Sequence, residues 1–512
     1  ECVNSLEWDW VISRQRYFAT PIPLWECKDC KEVVLAKPED CYVDPTIDKP
    51  PVDKCPKCGG DLIGSEDVFD TWMDSSISPL YNTFWHRDEK LFEKMYPMSL
   101  RPQAHDIIRT WAFYTILRCS LLTDEKPFEN IMMGGFILSE DGTPMHASLG
   151  NVIDPLKVIN EFGSDAFRCY AASCSLGEDN TFRRKDVIRG KKLLRKLWNV
   201  EQFIDSNINT KEPVEKPEKL TIIDTWILTK YSHLIKQTTN LLESFDYSQA
   251  MKEIEYFLWH EFADHYIEMA KSSIYNNKNV KSTTFTLHTI GLGILKLFAS
   301  FIPHITEELY QKMYKEFEES KSIHRSNWPE PIIEDDNAHD SGETIKKFIA
   351  DLRSFKSEQG IALNAPLQSS ATYGPKDQIT QLKSQADLIK STLSLPENHS
   401  FIEGKPDVEE SITAIEPVYA KIGPVFKKDS QKIAAYIKNN QQDLISIIEE
   451  TGDLKWKDIR DVTASEENNS LLDEEFVHLK RKSHVAGSDT DETLVTFGPF
   501  YVLVSTEVTT SN

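Results

Sequence analysis

Long apolar runs are missing from this sequence. A membrane-crossing helix needs ~20 consecutive apolar residues, and the best candidate, residues 290–302, is shorter and contains Lys296. No membrane partner is expected. Cysteine is scarce, nine in 512 residues, which excludes a disulfide-built scaffold. Positive charge is in deficit: 58 Lys+Arg against 81 Asp+Glu leave −23. That excludes a wholly basic nucleic-acid binder, but not a local basic face. The opening Glu1-Cys2-Val3-Asn4 has no initiator Met and no basic-then-apolar leader pattern, and reads as a cut inside a longer chain. No internal repeat is visible. What remains is an ordinary globular composition, 40% apolar and 27% charged, of a length that predicts three or four domains at ~100–200 residues each.

Residues 1–190 alternate strand-like pieces (131–133, 135–138) with helix-like ones (106–122, 155–162). Such alternation predicts a parallel α/β sheet. From residue 188 to about 330, apolar residues recur at three- and four-residue spacing, through Leu193, Leu194, Leu197 and Trp198 and again over 226–242, 251–274 and 285–301. This periodicity predicts a helical bundle. Pro303 is expected to stop one helix, with the next starting at Thr306-Glu307-Glu308. Residues 334–343 (EDDNAHDSGE) read as an acidic linker. Amphipathic helices (345–355, 432–449) and Val/Thr strands (493–508) then predict a small α+β domain over 344–512.

Five of the nine cysteines fall between Cys27 and Cys58. Cys27-Lys-Asp-Cys30 and Cys55-Pro-Lys-Cys58 form two knuckles, the second followed by Gly59-Gly60. Each knuckle brings two thiolates to one corner of a tetrahedron, and four soft sulfurs suit Zn²⁺ at ~2.3 Å. Such a closed ligand set would be structural. A redox dithiol and four unrelated buried cysteines are the competing readings. Cys41, between the knuckles, has no assigned role.

Several motifs follow in order: residues 8–16 (WDWVISRQR), 20–25 (TPIPLW), 66–76 (EDVFDTWMDSS), 101–111 (RPQAHDIIRTW) and 149–155 (LGNVIDP). Further along come 259–266 (WHEFADHY), 303–308 (PHITEE) and 360–367 (GIALNAPL). In order and spacing they resemble the class I aminoacyl-tRNA synthetases, and within them the archaeal-type valyl enzymes, over nearly the whole chain. The resemblance implies a Rossmann-like α/β catalytic half over 1–187 with a zinc ribbon at 25–62, a helical anticodon-binding bundle over 188–333, and the α+β domain beyond. It implies ATP-dependent activation of valine, transfer to tRNA(Val), Mg²⁺ at the phosphates, structural Zn²⁺ and a cytoplasmic setting. A non-catalytic tRNA-binding paralogue, an isoleucyl-type synthetase and a generic zinc-ribbon scaffold are the alternatives.

By the same resemblance Trp72, Ile107 and Trp111 wall a slot for a small branched side chain. Ile107 and Trp111 are four apart, so they share a helix face; residues of these types at this spacing also suit an ordinary core. Asp106 matches the carboxylate that accepts the ribose hydroxyls of ATP, and equally suits a helix N-terminus. Gly135 matches the glycine beside adenine.

Three departures stand out. No HIGH-type motif and no editing insertion are present, as though the chain begins after that insertion. The loop expected to read KMSKS reads Pro144-Met145-His146-Ala147-Ser148. Only Met145 and Ser148 match, and both lysines that neutralise the leaving pyrophosphate are gone. Losing one such group costs ~10²–10³-fold in rate; His146 replaces it only when protonated. Ala104 stands where the family has glycine. A basic run, by contrast, is concentrated at 183–196: eight basic residues (among them Arg183, Arg184, Arg189, Lys191, Lys192 and Lys196) and one acid, Asp186. Arg189, Lys192 and Lys196 fall on one helix face, suited to tRNA phosphates. A solvated helix packing Leu193, Leu197 and Val200 inward is the plainer reading.

Overall fold

The computed structural model describes residues 9–208, 214–459, 470–473, 475–485 and 492–505. Trp8, Cys2 and the expected strand end at 506–508 lie outside them. The chain divides into two compact units: Glu1–Arg195 with Gln237–Glu253 and Phe301–Ile305, and Lys196–Lys236 with Ile254–Ser300 and Thr306–Asn512.

In the first unit, strand Met98–Ala104 pairs in parallel with Phe128–Gly134, Met98 opposite Phe128 and Ala104 opposite Gly134. Parallel neighbours require a crossover. Here it is a tight turn His105–Ile107, a π-helical turn Ile108–Ala112 and an α-helix Phe113–Thr123. A second parallel pair joins Ile137–Leu138 to Asn180–Thr181. The helix Pro155–Phe162 starts where the sequence places it: Asp154 caps the Leu156 amide at 2.9 Å and Pro155 takes the first position. Val158, Ala166, Tyr170, Phe182 and Val187 form a core cluster beneath it. The cysteine knuckles hang from a three-stranded antiparallel sheet of Leu24–Cys27, Val33–Leu35 and Leu62–Gly64.

Residue 188 marks no break. It lies inside one continuous helix, Arg184–Asn207. The helix expected from Thr306 begins earlier, Pro303–Met313. Proline is well placed in a first turn, and the buried Asp165 carboxylate accepts the amides of His304 (3.4 Å) and Ile305 (2.8 Å).

The second unit is helical through Val280–Phe298, Pro303–Met313 and their neighbours, and its interior holds Trp226, Tyr231, Phe262, Tyr266, Phe298 and Tyr310. Residues 334–343 are no linker. Asp335 caps a helix spanning Asp336–Glu358, accepting the Ala338 amide at 2.9 Å. Gly342 lies so close to Trp226 that an added Cβ would sit 2.1 Å from the indole. Glu343 joins a charge network: Lys230 at 2.6 Å, Lys346 at 2.6 Å, and the Trp226 indole N–H at 3.0 Å. Glu261 completes it, 3.1 Å from Lys230 and 3.2 Å from Lys346. The segment that its composition suggests is a linker is thus helix from Asp336 on, with Gly342 packed on Trp226 and Glu343 in a partly buried ionic cluster.

The C-terminal part of this unit is α+β, with a four-stranded sheet that includes Ser369–Gly374, Ser400–Glu403 and Phe500–Ser505. The single helix expected at 432–449 is two, Ser430–Asn439 and Gln441–Thr451. The Gln441 side chain leaves the helix pattern to bond Ile415, accepting its amide at 2.6 Å and donating to its carbonyl at 2.7 Å. The strands expected over 493–508 form a hairpin, Glu492–Phe497 and Phe500–Ser505, turned at Gly498-Pro499.

Candidate functional site: an apolar slot, a nucleotide-facing edge and a cysteine cluster

The four knuckle cysteines converge. Cys27, Cys30, Cys55 and Cys58 place their sulfurs within 4.8 Å of one another. Cys27 and Cys58 are 3.5 Å apart and Cys30 and Cys55 are 3.6 Å apart. Cys41 is exposed, its thiol on the Lys37 carbonyl at 3.6 Å, and stays outside the cluster.

Trp72, Ile107 and Trp111 also come together, in one apolar cluster with Met98, Ala112 and Phe128. Trp111 is 4% exposed, whereas Trp72 and Ile107 are half-buried. The four-residue spacing holds, but across a π-helical turn and not a regular α-helix. Trp72 is set by Asp70, which sequence reasoning missed. Asp70 accepts the Trp72 amide (3.4 Å), the Trp10 indole N–H (3.0 Å) and the Arg14 guanidinium (2.8 Å). The Arg101 guanidinium stacks 3.1 Å above the Trp111 ring centroid, a cation–π contact that fixes the indole plane. Two indoles and an isoleucine thus pack into one apolar cluster beside the turn His105–Ile107.

Asp106 lies exposed in the turn His105–Ile107, next to Ile107 in the chain. Gly135 follows strand Phe128–Gly134, and a Cβ there would meet the Glu178 carbonyl oxygen at 2.0 Å. The absent side chain therefore admits a neighbouring backbone as well as whatever docks beside it. Asp179 carries no signal in the sequence. Its Oδ1 accepts the Phe136 amide at 2.8 Å and contacts His105 Nε2 at 3.0 Å. The amide bond and then the imidazole hold this carboxyl below its ordinary range. Asp179 thus ties the turn carrying Asp106 to the segment after Gly135.

The loop at Pro144–Ser148 is ordered by Asn151. Its Oδ1 accepts the His146 amide (2.8 Å), and its Nδ2 donates to the Thr143 hydroxyl and the Pro144 carbonyl, each at 3.1 Å. His146 Nδ1 is 3.0 Å from the Ser148 hydroxyl, and Met145 accepts the Ile153 amide on sulfur at 3.4 Å. Asp141, pulled down to about 2 by the Ser139 and Thr143 hydroxyls, anchors the preceding turn. Met145 and Gly135 line one cavity of about 440 Å³ with Tyr170, Phe182 and Tyr247; His146 and Asp106 are outside its lining.

The basic run is sorted by the helix Arg184–Asn207. Val187, Leu193, Leu197 and Val200 are buried, while Arg183, Arg184, Arg189, Lys191 and Lys192 are exposed. The apolar side of the run packs inward as the plainer reading expects, and these cations are left on the surface, with one exception. Lys196 does not join the exposed face: it pairs with Asp264 at 2.9 Å and lies 5.3 Å over the Trp259 ring. Arg184 pairs with Glu161.

Comparison with known proteins agrees with this layout. Residues 4–183 match the family described as tRNA synthetases class I (I, L, M and V), and residues 224–371 match the anticodon-binding domain of tRNA ligase. The chain is 38% identical over 504 residues to the valine–tRNA ligase of Pyrococcus furiosus, covering 96% of this chain and 55% of that protein. With the enzyme of Methanothermobacter thermautotrophicus it shares 40% over 440 residues, covering 85% and 49%. The chain thus spans about half the length of the curated relatives it matches. A LeuRS of Agrobacterium radiobacter K84, solved in a ternary complex with tRNA and LeuAMS, shares the fold at a TM-score of 0.50 and 19% identity, over 77% of this chain and 50% of that one. Among the described residues no helix is long and apolar enough to cross a membrane. The chain thus carries the class I tRNA synthetase match over residues 4–183 and the anticodon-binding match over 224–371, and it is similar to the archaeal valine–tRNA ligases over the part of their length that it spans.

Proposed function

We propose that this chain serves valine–tRNA ligation in the cytoplasm: ATP-dependent activation of valine with release of pyrophosphate, then transfer of the valyl group to tRNA(Val). The observation that carries this reading is the meeting of Trp72, Ile107 and Trp111 in one apolar cluster next to the turn that bears Asp106. An apolar wall of two indoles and an isoleucine suits an isopropyl group. Rejection of a longer side chain there is worth about 10–200-fold per methylene. Asp106 would accept the ribose hydroxyls, and Gly135 would leave room for the base. Mg²⁺ would arrive with the ATP phosphates, since Asp141 is already engaged by Ser139 and Thr143. The exposed cations from Arg183 to Lys192 would hold tRNA phosphates.

The cysteine cluster fits zinc. Four sulfurs at ~2.3 Å from a tetrahedral centre stand about 3.8 Å apart, close to the 3.5 and 3.6 Å separations here. Cys27, Cys30, Cys55 and Cys58 would hold the ion and leave no coordination site for substrate, so its contribution would be to folding.

The lysine-free loop favours a second reading, a tRNA-binding paralogue without activation chemistry. Two assays test them, and valine-dependent exchange is the outcome that separates them. Valine-dependent ATP–pyrophosphate exchange by the 512-residue chain is expected to be absent, with tRNA(Val) binding retained. Exchange that depends on valine would remove the paralogue reading, and failure to bind tRNA would remove both.

A further inference from the structure

Two residues of the 8–16 motif, Trp10 and Arg14, have no part in the reaction as proposed. Both converge on Asp70, two residues before Trp72. Strand Ser13–Arg14 pairs antiparallel with Val68–Phe69, and the Asp70 amide donates to the Ile12 carbonyl at 2.8 Å. The Asp70 side chain is buried and both its oxygens are engaged. Oδ1 accepts the Trp72 amide at 3.4 Å, while Oδ2 accepts the Trp10 indole N–H at 3.0 Å and the Arg14 guanidinium at 2.8 Å. Arg14 is itself held by the carbonyls of Val11 (2.6 Å) and Ser13 (2.8 Å).

The Trp10 ring also lies flat on Tyr114, centroids 3.7 Å apart and planes 1° from parallel. Tyr114 comes three residues after Trp111, in the helix Phe113–Thr123 that continues the π-helical turn of Trp111. One indole thus joins the cap of Trp72 to the helix of Trp111, and both ends of the path are indole walls of the apolar cluster. Arg118 docks the same two elements independently: its Nη1 donates to the Met73 carbonyl and, at 2.9 Å, to the Ser76 hydroxyl. Trp10 is therefore not needed to bring them together. What it adds is a fixed spacing between Trp72 and Trp111. A wall that tells apart side chains differing by one methylene has to hold its position within about 0.5 Å, and that takes supporting groups whose own rotamers are locked. The hydrogen bond at its edge and the stack on its face lock the Trp10 ring. Close-packed side chains pass a displacement on instead of absorbing it.

We propose that Trp10 is a positioning residue that sets the separation of Trp72 and Trp111 and so determines the preference for valine over isoleucine. This rests on the reading of the cluster as the valine pocket, and it assigns selectivity to a residue outside that cluster. The test uses the full chain labelled with fluorotryptophan, the Trp72 and Trp111 fluorine NMR signals being assigned by Trp72→Phe and Trp111→Phe. Trp10→Phe removes the N–H and keeps the ring, so the Trp72 signal should move and the Trp111 signal should stay. Tyr114→Leu keeps the hydrogen bond and removes the stack, so the Trp111 signal should move and the Trp72 signal should stay. Trp10→Leu removes both links and should move both signals, with unfolding still cooperative because Arg118 and the strand pairing remain.

On the same proteins, binding of non-hydrolysable valyl- and isoleucyl-adenylate analogues reads the selectivity. The unaltered chain's preference for the valyl analogue, about tenfold or more, should fall to about threefold or less in Trp10→Leu. Arg118→Met, which weakens the docking without touching Trp10, should lower the melting temperature and keep the preference. Unmoved signals in Trp10→Leu, an undiminished valyl preference there, or an equal loss of preference in Arg118→Met would overturn the proposal. If Trp10→Leu does not fold, Trp10→Phe and Tyr114→Leu decide, and crossed or absent shifts overturn it. Equal affinity of the unaltered chain for the two analogues would instead overturn the valine reading of the cluster, and the fluorine signals would still decide whether Trp10 positions the two indoles.

Discussion

Replacing Glu343 with glutamine removes one of the two carboxylates that face Lys230 and Lys346. The remaining acid, Glu261, is 3.1 and 3.2 Å from those ammoniums, so the cluster changes from neutral to one net positive charge. Side-chain exposure across the four groups runs from 7% to 33%. Breaking a fully buried pair costs about 3–5 kcal/mol, and an exposed one contributes at most about 1. With Glu343 a third exposed, the expected loss is about 2 kcal/mol, or about 3 °C in melting temperature for a unit of this size. Removing Lys346 as well (Lys346→Met) should recover part of it, because Lys230 and Glu261 then balance. The pH dependence has a definite sign. Burial opposes ionisation of Glu343, but hydrogen bonds from Lys230, Lys346 and Trp226 outweigh it and hold the carboxyl at about 2. A depressed carboxyl stabilises the fold above its ordinary ~4.3, and that contribution fades as pH falls from there through about 2. Thermal unfolding followed at pH 7 and at pH 3 should therefore show the variant's deficit shrinking in acid. Equal stability of variant and parent at pH 7 would mean that residues 334–343 are solvated and that the ionic cluster contributes nothing.

Elemental analysis should find one zinc per chain, and Cys55→Ser should lose it and open the 25–62 ribbon to proteases; chelator-washed protein that stays folded without zinc would contradict this. In an enzyme reconstituted to measurable activity, Pro144→Lys with Ala147→Lys should raise the rate of adenylate formation and leave valine affinity unchanged, since the loop is outside the apolar recess. Neutralising Lys191 and Lys192, both exposed, should weaken tRNA binding and flatten its salt dependence by roughly one unit for each phosphate no longer neutralised, while neutralising Lys196 should act through its Asp264 pair and leave the salt slope unchanged.

The parts legible in the sequence are those whose cause is local. The cysteine knuckles, the Asp154-Pro155 helix start and the apolar period of the bundle each occupy one stretch of chain. Gly498-Pro499 is a readable turn signal between the Val/Thr strands of 493–508. What escapes depends on partners far along the chain. Asp70 acts through Arg14, 56 residues away, and Asp179 through His105, 74 away. Residues 334–343 are acidic and apolar-poor in isolation. Only Trp226 and Lys230, over a hundred residues earlier, turn Gly342 and Glu343 into packed helix. The break between Ser430–Asn439 and Gln441–Thr451 likewise follows from Gln441 reaching back to Ile415. Polar residues with distant partners look the same in sequence as polar residues in water.

Equilibrium binding of non-hydrolysable aminoacyl-adenylate analogues tests most directly whether the recess of Trp72, Ile107 and Trp111 beside Asp106 and Gly135 is a valyl-adenylate site. The valyl analogue should bind more tightly than the isoleucyl one by about tenfold or more, the discrimination one methylene permits in a tight apolar recess. Trp111→Ala should remove that preference, and Asp106→Asn should weaken both analogues equally. Equal affinity for the valyl and isoleucyl analogues, or a preference that survives Trp111→Ala, would contradict the assignment of the recess.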